Sequence, residues 1–331
     1  MGIDIKDIKK MYRTPKPENL PETIHLVLEK VRSLRYGTNP HQAAALYRVK
    51  ASKPLVLGGL KELKSGKGGL SQTNIEDMDR ALRITAFFER AACAVMKHKN
   101  PSGVAVARSG EEPLSAIYRR ARDCDSRAAF GSVVGFNVAV DEETAEEIVK
   151  TFVEAVVAPG YKGDTLQILG ERKGLRVVEV SNLEILSPFP GKGMDYYDLS
   201  VLGDGSIIVS EPYRTRVRSG EDLLVVTERK PSEKEIQDLI FSWYVCANTR
   251  SNAIVLAKDL CTVSVGTGQQ DRVTAVKIAI DKAIDLGHEE YLQGSVMASD
   301  GFFPFRDSID LAAEHGVSAI IQPGGLSLIH I

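Results

Sequence analysis

The chain has 331 residues, 43% hydrophobic and 26% charged, with a formal net charge of −2. That balance belongs to a folded globular chain of roughly two domains and excludes a collagenous or disordered one. Nothing in it demands a basic face for nucleic acid, and no apolar run reaches the roughly 18 residues of a membrane span.

The four cysteines, at 93, 124, 246 and 261, show no C-x-x-C spacing, so zinc and redox motifs are unsupported. Cys93 and Cys246 sit in apolar surroundings and read as core residues. No apolar segment follows Met1, so no signal peptide is expected and the cytoplasm is the expected location.

In chain order, residues 1–20 are charged and proline-rich and read as an arm. Pro21-Glu22-Thr23 is expected to open a helix with an apolar face at 24, 27, 28 and 31, which makes residues 1–30 an arm plus helix. Arg35 to Gln42 is a loop by Gly37 and Asn39-Pro40. Its polar residues suit a surface loop or an anion and base pocket equally well. Ser65-Gly66-Lys67-Gly68-Gly69 lacks the spacing of a phosphate loop. Asn74 to Arg90 has helical periodicity, with apolar residues at 75, 78, 82 and 86.

Ala91 to Met96 is a continuous apolar run and reads as a buried strand. Lys97-His98-Lys99-Asn100-Pro101-Ser102-Gly103 follows it and ends in Asn-Pro and Ser-Gly, both turn-makers, so a Lys and a His are expected where a strand runs into a loop. Ligands of open α/β sheets bind at such strand ends. A His moves protons near neutral pH, and a neighbouring Lys can hold an anion or lend a proton.

Glu112–Arg122 reads as a helix, Ala128–Gly135 as a strand, Glu142–Phe152 as a helix and Val156–Ala158 as a strand. The alternation points to a layered α/β first half, residues 31–190. The Pro- and Gly-rich stretch from Pro188 is the expected junction to a second half, residues 191–331. There Asp222–Val226 reads as extended, and Ser232 with Glu235 forms a capping box for a helix to Cys246. Strands 253–257, 262–265, 295–298 and 317–321 follow, with helices from Arg272 to Asp285 and over 308–315. Both halves share the order apolar strand, polar tip, helix, although no repeat is visible in the residues themselves.

Several of these tips together resemble the aminoimidazole carboxamide ribonucleotide (AICAR) transformylase part of the bifunctional purine-biosynthesis enzymes. The residues that carry the resemblance are Arg35-Tyr36-Gly37 with Asn39-Pro40-His41-Gln42, Leu70-Ser71 with Asn74, and Lys97-His98 with Asn100-Pro101 and Gly103. They continue through Ala129-Phe130-Gly131, Ala158-Pro159-Gly160, Ser251-Asn252-Ala253, Gly266 with Gly268-Gln269 and Arg272, and Ser299-Asp300 with Phe302 to Asp307. They stand in the family's order over residues 34–325.

The resemblance implies an α/β fold of two cytidine-deaminase-like α/β/α subdomains with mixed sheets and no zinc. The deaminase ligand motifs H-x-E and P-C-x-x-C are indeed missing from the sequence. It implies formyl transfer from 10-formyltetrahydrofolate, as co-substrate, to the 5-amino group of AICAR, with no metal required. It implies a homodimer whose active sites form between chains. By the same resemblance Lys97, His98 and Asn252 are catalytic. Arg35, Tyr36, His98, Gly131, Glu154 and Asn252 bind the ribonucleotide, and Arg272, Phe302 and Asp307 bind the folate. His288, His315 and His330 are expected to be surface groups.

Two departures from the family pattern shape the expectations. Only 34 residues precede Arg35, so a stand-alone transformylase with a separate inosine monophosphate cyclohydrolase is expected. Leu326 to Ile331 replaces the family's closing helix and strand, which suggests a truncated end. That end motivates an alternative, a nucleotide- or folate-binding protein with impaired turnover.

Overall fold

The computed structural model describes residues 20–50, 55–191 and 196–324. The chain runs through β1 (Leu28–Leu34), β2 (Ala44–Val49), β3 (Lys61–Lys64), helix α1 (Gln72–Thr85), β4 (Ala92–Lys97) and β5 (Asn100–Val106). It continues with α2 (Leu114–Asp123), α3 (Ser126–Ala129), β6 (Ser132–Phe136), α4 (Glu142–Val149), β7 (Val153–Ala158), α5 (Thr165–Gly170) and β8 (Arg176–Glu179). Next come β9 (Asp198–Val201), β10 (Ile207–Ser210), α6 (Glu233–Cys246), β11 (Ile254–Lys258) and β12 (Cys261–Gly266). The described chain closes with α7 (Arg272–Asp285), α8 (Glu289–Leu292), β13 (Val296–Ser299), α9 (Asp307–Glu314) and β14 (Ala319–Ile321).

Ten strands form one mixed sheet in the order β14-β13-β11-β12-β5-β4-β6-β7-β8-β3. Strand β4 is central and reads Ala-Cys-Ala-Val-Met before Lys97, all buried. A strand covered on both faces needs apolar side chains at every position, so the run shows no alternation. Ala92, Ala94 and Met96 face one layer with α1 and α6, and Cys93 and Val95 face the other with α2 and α4. Fully burying a side chain such as Met78 of α1 contributes roughly 1.5–3 kcal/mol.

The two halves repeat one unit. Ser71 and Ser232 each begin a helix of 14 residues with a capping box, closed by Asn74 in α1 and Glu235 in α6. After each helix comes an antiparallel hairpin, β4–β5 or β11–β12. The first strand of each hairpin pairs antiparallel with a later strand, β6 or β13, which then pairs parallel with the next, β7 or β14. One constant spacing relates Ser71 to Ser232, Asp77 to Asp238, Lys97 to Lys258 and Val104 to Val265. The halves meet where β5 and β12 pair antiparallel at Ala105 and Cys261.

Several elements differ from the sequence expectation. The helix expected over 24–31 is absent, and Leu28–Leu34 instead pairs with β2. The connecting loop docks through Arg35 N–H to Leu70 O and Gln72 N–H to Tyr36 O, and this tertiary anchoring overrides the helical spacing. The turn expected at Asn100-Pro101 and Ser102-Gly103 lies earlier, at His98-Lys99, and Pro101 stands inside β5 beside a register shift, where a missing N–H is tolerated. Gly103 serves close packing, because a Cβ there would overlap Ala121 O of α2. The strand expected from Ala128 begins at Ser132, after the short helix α3. Asp222–Val226 forms no strand, and β2, β3 and β8–β10 carry no strong local signal. The arm expected over residues 1–20 lies outside the described residues apart from Leu20, as does the stretch from Leu326 to Ile331.

Candidate active site along one rim of the sheet

Antiparallel pairing puts the ends of β4, β12 and β13 and the beginnings of β5, β6, β7, β8 and β11 along a single rim. The β4–β5 hairpin tip is at its middle. Lys97 and Asn100 form the last pair, and His98 and Lys99 make the two-residue turn with φ of 54° and 66°. Turns of this kind prefer Asn-Gly, and side-chain-bearing residues hold the left-handed conformation only when their surroundings require it.

The requirement comes from Asp77 of α1. This buried carboxylate accepts the Lys99 N–H at 2.5 Å. Burial raises the Asp77 pKa, opposed by the Lys99 N–H and by the attraction of the neighbouring His98. The Lys99 side chain turns away to Glu76, 3.2 Å from it. His98 is exposed, and Lys97 Nζ donates to Phe130 O at 2.5 Å. Gly131 follows with φ of 75° and donates its N–H to Phe152 O. A Cβ at Gly131 would stand 3.8 Å from Lys97 Nζ, so the glycine keeps space beside the amine.

On one side of the hairpin the rim gathers a carboxylate, Glu154, and two guanidiniums, Arg176 and Arg35. Asn74 Nδ2 donates to Glu154 Oε2 at 2.9 Å, and Arg176 lies 3.8 Å from the same oxygen. Arg176 is buried and held by Gly69 O and Lys67 O. Its pKa falls because of burial first and then because of the Arg35 charge. Arg35 donates to Tyr36 Oη at 2.8 Å and to Lys67 O at 3.1 Å, and it stacks on the Tyr36 ring. Two guanidiniums side by side attract a phosphate. The glycine-rich loop at 65–69 thus works through carbonyls that hold arginines.

On the other side Asn252 stands at the entry to β11. Its Nδ2 donates to Gln269 O at 2.8 Å, and its Oδ1 accepts from Arg272 Nη2 at 2.6 Å. Arg272 also donates to Ser299 Oγ and Asp300 Oδ1, and Asp300 Oδ1 accepts the Ala253 N–H at 3.0 Å. Asn100 joins the two sides, since its Oδ1 accepts from Arg250 N–H at 3.1 Å and Thr267 Oγ at 2.9 Å.

The fold therefore brings Lys97, His98 and Gly131 together, links Glu154 to Arg35 through Arg176, and ties Asn252 to Arg272. Phe302 is half-buried in the loop that leaves β13, next to Gly301, which abuts Arg272. Asp307 is exposed at the start of α9, with one oxygen accepting the Ser308 N–H. Sequence reasoning missed Asp77 and Arg176, and it named Asp300 only among the residues of the resemblance, without a role. Only the matched spacing of Asp77 and Asp238 from their capping serines could have signalled the first. A cavity of about 370 Å³ is lined by Phe152, Lys150, Arg172 and Lys173 among others. Among the described residues no three His, Cys, Asp or Glu side chains gather as a metal site, and no helix is long and apolar enough to cross a membrane.

A family model described as AICARFT/IMPCHase bienzyme matches residues 5–282. The chain is 41% identical over 312 residues to the bifunctional purine biosynthesis protein PurH of Caldicellulosiruptor saccharolyticus, covering 93% of this chain and 56% of that protein. It is 41% identical over 316 residues to PurH of Magnetococcus marinus, covering 94% and 57% respectively. Against PurH of Sorangium cellulosum it is 42% identical over 311 residues, covering 93% and 56%. The chain thus spans a little over half the length of these relatives.

Proposed function

The chain belongs to the AICARFT/IMPCHase bienzyme family, and from that premise we propose that it transfers a formyl group from 10-formyltetrahydrofolate to the 5-amino group of AICAR. The observation that carries the reading is the rim itself. A Lys–His pair stands between an Arg–Glu cluster suited to a ribose phosphate and an Asn–Arg cluster suited to an amide.

Arg35, backed by Arg176, takes the phosphate, with Tyr36 stacked beside it. Glu154 accepts ribose hydroxyls, and the space kept by Gly131 admits the base. Asn252 orients the carboxamide. An aromatic amine next to a carboxamide is a weak nucleophile and must lose a proton as it attacks, and His98 accepts that proton. The amine nitrogen bonds to the formyl carbon, and the bond from that carbon to the folate nitrogen breaks. Lys97 stabilises the tetrahedral oxyanion and donates a proton to the departing nitrogen. Arg272, Phe302 and Asp307 lie on the folate side. These steps need only side chains, with no metal.

We read the two repeats as cytidine-deaminase-like units within residues 31–190 and 191–331, and the working form as a cytoplasmic homodimer with shared sites. The exposed apolar residues Val201, Ile207 and Ile208 on the β9–β10 ribbon support a partner surface. Purified protein given AICAR and 10-formyltetrahydrofolate is expected to release tetrahydrofolate, followed by absorbance, and His98→Ala to abolish the release. Turnover that survives the change removes His98 from the mechanism. Turnover with formate and ATP in place of the folate removes the folate as donor.

A further inference from the structure

We propose that Asp77 is the positioning residue for His98. The inference rests on the formyl-transfer reading for its kinetic consequence, and on geometry alone for its structural one. His98 and Lys99 both occupy left-handed backbone, a conformation costly for residues with a Cβ. Asp77 accepts the Lys99 N–H at 2.5 Å from a buried position one turn beyond Asn74 on α1. The turn is therefore anchored to the helix that also carries the Glu154 partner Asn74, so His98 and the ribose-binding carboxylate share one rigid reference.

The second repeat supplies an internal control. Asp238 occupies the matching position on α6 and accepts the N–H groups of Asp259 and Leu260 at 3.0 and 2.7 Å. Those residues also sit in left-handed backbone, with φ of 54° and 55°. The device is the same, but its turn lies on the opposite rim. Asp77→Asn and Asp238→Asn therefore weaken the same anchor, each losing its charge and one of two acceptor oxygens, and only the first should disturb His98.

The experiment compares the two variants with the parent protein by thermal unfolding, by steady-state formyl transfer and by the ring resonance of His98, assigned with His98→Ala in histidine-labelled protein. Both variants are expected to melt a few degrees lower. In D77N kcat should fall roughly 10- to 100-fold, the size of loss that a misplacement of about 1 Å produces, and the His98 resonance should shift and broaden. In D238N kcat should stay within about twofold and the resonance should not move. Equal kcat in the two variants, or an unmoved His98 resonance in D77N, overturns the proposal.

If D77N does not fold, Lys99→Gly is added, because glycine takes the left-handed backbone without cost. The double variant is expected to recover stability and still show the displaced His98 resonance and low kcat. Full recovery of both would mean that Asp77 only offsets backbone strain, and the proposal fails. If the parent protein releases no tetrahydrofolate, the formyl-transfer reading fails, and the resonance comparison still decides the role of Asp77.

Discussion

The two hairpin tips are built alike and end differently. Lys97 Nζ donates to Phe130 O ahead of Gly131, and Lys258 Nζ donates to Gln293 O ahead of Gly294. Both glycines are left-handed, with φ of 75° and 73°. In the first tip His98 is exposed on an open rim. In the second, Arg108 and Arg120 donate to Asp259 O, Lys234 pairs with the Asp259 carboxylate, and Leu260 is buried. A lysine bonded to a carbonyl at a strand end is thus a property of the repeated frame. What distinguishes the candidate site among the described residues is the residue placed on the turn and a lighter latch over it, a single hydrogen bond from Asn100 Nδ2 to His98 O at 3.2 Å.

The comparison is tested most severely by the two lysines. Lys97→Ala is expected to lower kcat by 100-fold or more, within the roughly 10²–10⁴ that a positioned proton donor contributes. Lys258→Ala should leave kcat within about twofold. Similar losses in both would show that the lysine serves the frame alone.

The two glycines come next. Gly131→Ala and Gly294→Ala each force a side chain into left-handed backbone, at a cost of about 1–2 kcal/mol in urea unfolding. Only Gly131→Ala should also lower kcat/KM, by about tenfold, because its methyl group enters the space between Lys97 and Phe152. An equal kinetic effect at Gly294 would break the distinction.

The smallest effect concerns acid. Glu235 closes the capping box of α6, and its pKa is held well below the usual 4.5, first by the hydrogen bond from Arg229. Its folded pKa is below its unfolded one, so the stability it contributes is present above about pH 4.5 and is lost as pH falls through the folded value. The matching position in α1 is Asn74, which does not titrate. Amide exchange at residues 233–236 should therefore speed up in acid more than at 72–75, by no more than the roughly 1 kcal/mol of a cap. Equal acceleration at both helix starts would count against this role for Glu235.

Much of the frame was legible in the residues. An apolar run as unbroken as Ala92–Met96 has few destinations except a strand covered on both faces. The Ser232 and Glu235 pair marked its helix start to the residue, and the helical spacing of 75, 78, 82 predicted the face of α1 that meets the sheet. The Lys97-His98 and Asn252 tips were also readable, through their resemblance to a known family. The turn at His98-Lys99 was not, because local rules favour Asn-Pro and Ser-Gly while the actual turn is set by Asp77 reaching in from another element. The β1 strand escaped for the same reason, since its anchor lies at Leu70 and Gln72.

By itself, then, the sequence determined the elements whose signals are local: helix caps, apolar faces, the central strand and the residue types at each tip. Only the tertiary structure decided that both halves share one sheet, that Asn100 joins Lys97-His98 to the Asn252 cluster, and that Arg176 and Asp77 belong to the rim. The physical reason is that these contacts are hydrogen bonds between groups far apart in the chain. Their partners are chosen by strand order and register, which no window of sequence contains.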